Sequence, residues 1–182
     1  MFVVAGFTHA FLRPGFDMAR HPISMLALGG AGWVQTLAFL LTGALVLAWA
    51  AGVRGRLPSR WLPRALGALG VGLVAAGVFP ADPAFGFPEG APAGAPESIS
   101  TTGALHAAAF GVAMLGWITA AVLFTRYFAT TGRRGWAVLS GIAVAVLIAP
   151  LAVMGTTPVL YASSALTWTW MTAVAVVLRA GR

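Results

Sequence analysis

The sequence contains no cysteine, no lysine and no asparagine among its 182 residues, and it has few charges of either sign. Without cysteine the chain cannot form disulfides, thiol nucleophiles or thiolate metal sites. Without asparagine it has no acceptor for N-linked glycosylation. Charged residues make up 8% of the chain, against about 25% in a typical soluble domain. So apolar a composition, 59% hydrophobic, predicts that lipid rather than water surrounds the protein.

The sequence contains several long apolar runs. A membrane-crossing helix needs roughly 20 apolar residues, so a chain of this length has room for about six. The sequence therefore predicts an all-α polytopic membrane protein in which residues 1–182 form one bundle of six transmembrane helices. The first run is too short to span a bilayer, which indicates a short first helix or a natural start upstream of Met1. The predicted helices cover approximately residues 2–12, 31–53, 61–79, 103–128, 136–155 and 159–178.

The eleven arginines are distributed unevenly between the predicted loops. Basic residues favour the cytoplasmic side of a membrane, so the arginine-rich side should be cytoplasmic, together with both termini. All four acids fall on the opposite, outer side, and nothing resembles the basic and aromatic stripe of a nucleic-acid-binding protein. A composition rich in alanine, glycine, arginine and proline indicates a GC-rich bacterial genome and therefore the bacterial inner membrane. The nine cytoplasmic arginines are Arg54, Arg56, Arg60, Arg64, Arg126, Arg133, Arg134, Arg179 and Arg182, and the acids are Asp17, Asp82, Glu89 and Glu97.

Small residues recur every four positions in the third and fourth predicted helices. Small residues on one face allow two membrane helices to approach closely. The sequence therefore predicts that these two helices pack together through the small faces. The faces are Ala68, Gly72 and Ala76 in the third helix, and Gly103, Ala107 and Gly111 in the fourth.

The ionisable side chains that could carry chemistry gather at the outer face. His106 lies about one turn inside the fourth helix, and Asp82 follows the third. The pair could form an acid–base site or supply two metal ligands. Alternatively, a hydrogen bond between them only ties the two helices together. An ionisable residue inside a membrane is a candidate functional residue, although this one is shallow.

Three further residues extend this set of candidates. His21 and Ser24 could fold down onto Asp82 and His106, which would give a catalytic site from all four or a zinc site from His21, Asp82 and His106. Alternatively they belong to a loop turn in which Ser24 caps a short helix over residues 25–28. His9 is either a packed histidine or an axial haem ligand opposite His106.

Several short motifs together resemble the bacterial and archaeal family called domain of unknown function 998. The resemblance covers nearly the whole chain and implies six membrane helices, with a first helix longer than the one here. It draws attention to His21, Ser24, Asp82 and His106, but it implies no activity. The motifs are His21-Pro22-Ile23-Ser24-Met25-Leu26, Gly32-Trp33, Phe79-Pro80-Ala81-Asp82-Pro83 and His106.

Two classes of function follow from these observations. The first is a non-enzymatic membrane module that binds a lipid, a pigment or a partner subunit of a larger membrane complex, and the scarcity of polar chemistry favours it. The alternative is a membrane-embedded metal-dependent hydrolase that uses the outer-face histidines and aspartates. Neither zinc nor haem is required by the sequence. Transport ranks last, because no acid, histidine or arginine lies at the predicted midplane, where ion coupling usually needs one.

Overall fold

The computed structural model describes residues 2–152 and 157–180, and within those ranges every regular element is helical. The predicted all-helical fold is confirmed, with helix ends no more than three residues from their expected positions. The last predicted residues of the fifth helix, 153–155, lie outside the described residues. The helices are α1 (Phe2–Leu12), α2 (Trp33–Val53), α3 (Leu62–Val78), α4 (Thr101–Thr130), α5 (Arg134–Ala152) and α6 (Thr157–Ala180), with a short 3-10 helix at Ile23–Ala27.

Three helices are long and apolar enough to cross a membrane, namely Trp33–Val53, Thr101–Thr130 and Thr157–Arg179. The other three are apolar but shorter. At 1.5 Å per residue, the 17 residues of α3 extend about 26 Å, near the lower limit for a bilayer core. The 11 residues of α1 extend only about 17 Å, in agreement with the predicted short first helix.

The outward surface of the bundle carries many large apolar side chains. On α2, Leu37, Leu41 and Leu45 follow one another at four-residue spacing and are 44%, 52% and 61% exposed. Comparable exposed side chains occur on α4, including Leu115 at 69%. Soluble proteins rarely expose contiguous apolar surface on this scale, so the surface is suited to contact with lipid.

Helix α3 packs against both α2 and α4. Gly72 allows the close approach to α4, because a Cβ there would lie 2.6 Å from the backbone nitrogen of Ala113. Gly116 does the same from α4, where a Cβ would lie 2.6 Å from the carbonyl oxygen of Ala65. The predicted small face of α3 is therefore part of the interface.

The predicted small face of α4 was wrong. Gly111 has open space where a Cβ would lie, and Ala107 is exposed. The residues that meet α3 are Ala109, Ala113 and Gly116, two or more positions further along the helix. Because α4 is rich in small residues all round, four-residue spacing alone did not identify the side that α3 contacts.

The loops lie at two ends of the bundle with different chemistry. The acidic end consists of loops 13–32 and 79–100, and the arginine end consists of loops 54–61 and 131–133. The two loops of the acidic end pack on each other through a small separate core in which Met25, Ala84 and Phe87 are buried. Arg13 strengthens this contact, since its guanidinium donates to the carbonyl of Leu28 at 2.7 Å and lies 5.6 Å from the centre of the Phe87 ring.

Candidate functional site

A cavity of about 340 Å³ lies inside the bundle toward the acidic end, between α3, α4, α6 and the 3-10 helix. Side chains of α4 and α6 meet inside the bundle, where the rings of Trp117 and Trp168 are 4.6 Å apart. Phe110 of α4 and Leu160 of α6 line the cavity and are 48% and 38% exposed. The cavity is therefore partly open to the surface of the bundle. Its volume is within the range of small-molecule sites, about 300–1,000 Å³.

His106 lines this cavity and is held in place by the end of α3. Its Nδ1 lies 2.8 Å from the carbonyl oxygen of Phe79 and 3.2 Å from that of Ala76. The last carbonyls of a helix lack partners within the helix, which is why they are available to the ring. Because carbonyl oxygens only accept, Nδ1 must carry the proton. In the neutral ring, Nε2 is then an unprotonated nitrogen that can accept a hydrogen bond.

Asp82 is not bonded to His106, so the expected pair was wrong. Its carboxylate accepts from the backbone N–H of Ser100 at 3.0 Å and from the Ser100 hydroxyl. Ser100 in turn caps α4 by accepting from the N–H of Gly103 at 3.0 Å. Helix α4 begins two residues earlier than expected, so Ser100 is its cap and Asp82 lies at its positive end. An anion there stabilises the helix, and Asp82 does not line the cavity.

His21 ties the two loops of the acidic end together. It is only 3% exposed, its Nδ1 accepts from the N–H of Asp17 at 2.8 Å, and its Nε2 donates to the carbonyl of Phe85 at 3.0 Å. Its own carbonyl accepts from the hydroxyl of Tyr161 at 2.9 Å. Both ring nitrogens are thus occupied by backbone groups, which is the arrangement of a structural histidine.

Ser24 does not cap a helix, in contrast to the expectation. The 3-10 helix begins at Ile23, its N-cap is Pro22, and no side chain caps it. Ser24 lies inside that helix and lines the cavity with His106. Of the four candidate catalytic residues, the structure therefore brings two, Ser24 and His106, to one cavity.

The cavity also holds polar groups that the sequence did not identify. The ring N–H of Trp117 is buried without a hydrogen-bond partner, and three hydroxyl residues of α6 line the wall, namely Ser163, Ser164 and Thr167. The Thr167 hydroxyl donates back to the carbonyl of Ser163 at 2.6 Å. The four-residue spacing of Ser163 and Thr167 is the signal that could have placed them on one face.

His9 is buried in α1, 9% exposed, and neither of its ring nitrogens has a partner. Gln35 at the start of α2 is completely buried, and its amide is unpartnered as well. His9 is not among the residues that line the cavity next to His106. The haem hypothesis stays a prediction that this geometry does not favour.

No three histidine, aspartate or glutamate side chains converge as metal ligands within the described ranges. Both ring nitrogens of His21 bond to backbone groups, and the carboxylate of Asp82 bonds to Ser100. In His106, Nδ1 contacts backbone carbonyls, whereas Nε2 has no backbone partner. The zinc site of His21, Asp82 and His106 therefore stays a prediction without support from the arrangement of the side chains.

Comparison with known proteins gives one match. A family model described as a protein of unknown function, DUF998, matches residues 1–177. Neither the curated proteins nor the solved structures provide a match to the chain. Because the family model covers nearly the entire sequence, the chain belongs to the DUF998 family.

Proposed function

We propose that this protein is a non-enzymatic integral membrane module that binds a neutral amphipathic molecule, such as a lipid or an apolar pigment, in the cavity beside His106. The observation that carries the proposal is the cavity itself, which is lined mainly by apolar side chains and is partly open to the surface of the bundle. A ligand could enter it from the bilayer without passing through water.

The proposed setting is a bacterial inner membrane crossed six times. The apolar outer surface and the three long apolar helices support membrane insertion. The arginine end would face the cytoplasm and the acidic end the outside, as basic loops favour the cytoplasmic side. The cavity would then lie in the outer half of the bilayer.

The wall of the cavity favours a ligand with a neutral head. Among the described residues that line it, His106 is the sole histidine, and none is an arginine, aspartate or glutamate. His106 offers an acceptor at Nε2, and Trp117 offers a buried donor deeper in the cavity. A hydroxyl or carbonyl group could satisfy either atom, whereas a charged head would lie in an apolar site without a counter-ion.

The experiment is native mass spectrometry of the protein purified in a mild detergent. The wild-type protein should carry one retained small molecule, which extraction then identifies by class. Ala107→Phe should abolish most of the retention, because Ala107 lines the cavity and is exposed, so that a larger side chain can occupy part of the cavity without replacing a buried core residue.

Ala108→Phe is the matched control, since Ala108 is an exposed neighbour on α4 that does not line the cavity. It should retain the molecule as the wild type does. The proposal fails if the wild-type protein carries nothing, or if both variants retain the molecule equally.

A further inference from the structure

A second cavity, of about 590 Å³, lies at the arginine end of the bundle, where α2 ends and α3 begins. It meets α3 at Pro63 and Arg64, whereas the first cavity meets the same helix from Leu69 onward. Its wall contains Arg54, Arg60 and Arg64 beside Ser59 and apolar residues. Arg56, which lies in the same loop as Arg54 and Arg60, does not line it.

Two of these arginines are held in position by one aromatic ring. The guanidinium of Arg60 lies 5.4 Å from the centre of the Trp61 ring, and that of Arg64 lies 5.0 Å from it. Cation–π contacts of this kind restrain long side chains that would otherwise sample many rotamers. Trp61 is itself 55% exposed, as expected for a tryptophan at a membrane–water boundary.

No aspartate or glutamate side chain lies at this end to neutralise the cluster. The four acids of the chain are Asp17, Asp82, Glu89 and Glu97, and all of them belong to the loops of the acidic end. Three positive charges therefore share one cavity without an acidic side chain near them in the described part of the protein. The preference of basic residues for one side of a membrane explains their presence in the loop, but it requires no common cavity.

We propose that Arg54, Arg60 and Arg64 bind a phosphate group, supplied either by the headgroup of an anionic phospholipid or by free phosphate. The planar guanidinium matches the geometry of phosphate oxygens and can bind two of them at once. Ala50, Ala51 and Leu57 also line the cavity, so that the glycerol and first methylenes of a phospholipid would meet apolar surface. Basic pockets between membrane helices on the cytoplasmic side bind such headgroups.

The test is the midpoint of thermal unfolding of the whole protein in a non-ionic detergent, titrated separately with phosphatidylglycerol, phosphatidylcholine and inorganic phosphate. Phosphatidylglycerol should raise the midpoint saturably and phosphatidylcholine should not, because the latter has no net charge. Stabilisation by phosphatidylglycerol alone identifies a lipid headgroup, and stabilisation by inorganic phosphate identifies the free anion. If neither stabilises the wild-type protein, the proposal is overturned.

Variants test whether these three arginines bind the phosphate group. In the triple variant Arg54→Gln, Arg60→Gln and Arg64→Gln, the apparent affinity should fall roughly 100-fold, since each arginine near an anionic lipid contributes about 5-fold. The matched triple variant Arg56→Gln, Arg133→Gln and Arg134→Gln removes the same charge from the arginine end but leaves the cavity unchanged, and it should bind as the wild type does.

Equal loss in both triple variants would overturn the proposal, because it would show attraction to net charge rather than a site. All six arginines are exposed, so circular dichroism should show folded protein in each case. Should the first triple variant fail to fold, the single variants Arg60→Gln and Arg56→Gln give the same comparison with one charge removed from each.

Discussion

His21 and His106 are both buried, yet their backbone partners leave them with different capacities. Both ring nitrogens of His21 are engaged, by the N–H of Asp17 and the carbonyl of Phe85. The carbonyls at the end of α3 engage only Nδ1 of His106, so its Nε2 is available to a ligand. Both residues were equal candidates by sequence, because the sequence does not show which backbone groups each ring meets.

The contact of Asp82 with the start of α4 depends on the missing side chain of Gly103. A Cβ at this position would lie 2.6 Å from Cγ of Asp82. We expect Gly103→Ala to push the carboxylate away from Ser100 and to lower the free energy of unfolding by about 1–3 kcal/mol, the contribution of hydrogen bonds to a charged group. The measurement is chemical unfolding in detergent followed by circular dichroism.

Gly111→Ala is the control for this prediction, because it lies in the same helix with open space around it. Alanine there should stabilise the helix by up to about 1 kcal/mol. Equal stability of the two variants would show that the Asp82 contact contributes nothing.

The contacts of Asp82 and Ser24 were not predicted correctly, because they depend on the residue at which a helix begins. Residues 98–102 offer four hydroxyl side chains that could cap α4, and only the structure selects Ser100. Because Ser100 is the cap, α4 begins two residues earlier than predicted, and Asp82 accepts hydrogen bonds from Ser100 instead of contacting His106. The position of Ser24 changed for the same reason, since its helix begins one residue before it.

At the scale of elements, the contact between α3 and α4 shows that composition predicts the helices but not always the faces through which they pack. Runs of apolar residues predicted six helices, and the described residues form six, three of which are long and apolar enough to cross a membrane. The small face of α3 was predicted correctly, but α4 has small residues on several sides and the wrong side was selected. The cavity could not be predicted, because its wall combines side chains of all six helices and of the 3-10 helix, and the sequence does not show how these elements are arranged.

Gly72→Ala tests the α3–α4 contact. Its Cβ would lie 2.6 Å from the backbone nitrogen and 2.7 Å from a backbone oxygen of α4, which cannot move as a side chain can. We expect the two helices to be forced apart, at a cost of about 1–3 kcal/mol in the free energy of unfolding. Gly67→Ala, in the same helix but with no neighbour within 4 Å, should leave stability unchanged or slightly increased. A stable Gly72→Ala variant would contradict the close approach.

At the scale of the whole molecule, the two ends of the bundle differ in charge in a way that the sequence alone indicates. Loops 54–61 and 131–133 carry arginines without acids, and the acids belong to loops 13–32 and 79–100. The structure joins the latter two loops through His21, Arg13 and a small core. The proposed orientation in the membrane follows from this asymmetry.

The orientation can be measured by labelling, because the chain has no cysteine of its own. A membrane-impermeant maleimide added to intact bacterial spheroplasts should label Glu89→Cys, at the acidic end, at once. It should label Arg56→Cys, at the arginine end, only after the membrane is permeabilised. Both positions are exposed, so that neither needs the protein to open. Labelling of both from the same side would contradict the proposed crossing of the membrane.

The most direct measurement of the central claim is quenching of tryptophan fluorescence by a long-chain alcohol brominated along its chain. Trp117 and Trp168 line the cavity, whereas Trp33 and Trp61 are 64% and 55% exposed on the surface. Binding in the cavity predicts a saturable quenching component that is lost in Trp117→Phe/Trp168→Phe and kept in Trp33→Phe/Trp61→Phe. Quenching that is not saturable, or that survives loss of the two cavity tryptophans, would contradict binding in the cavity.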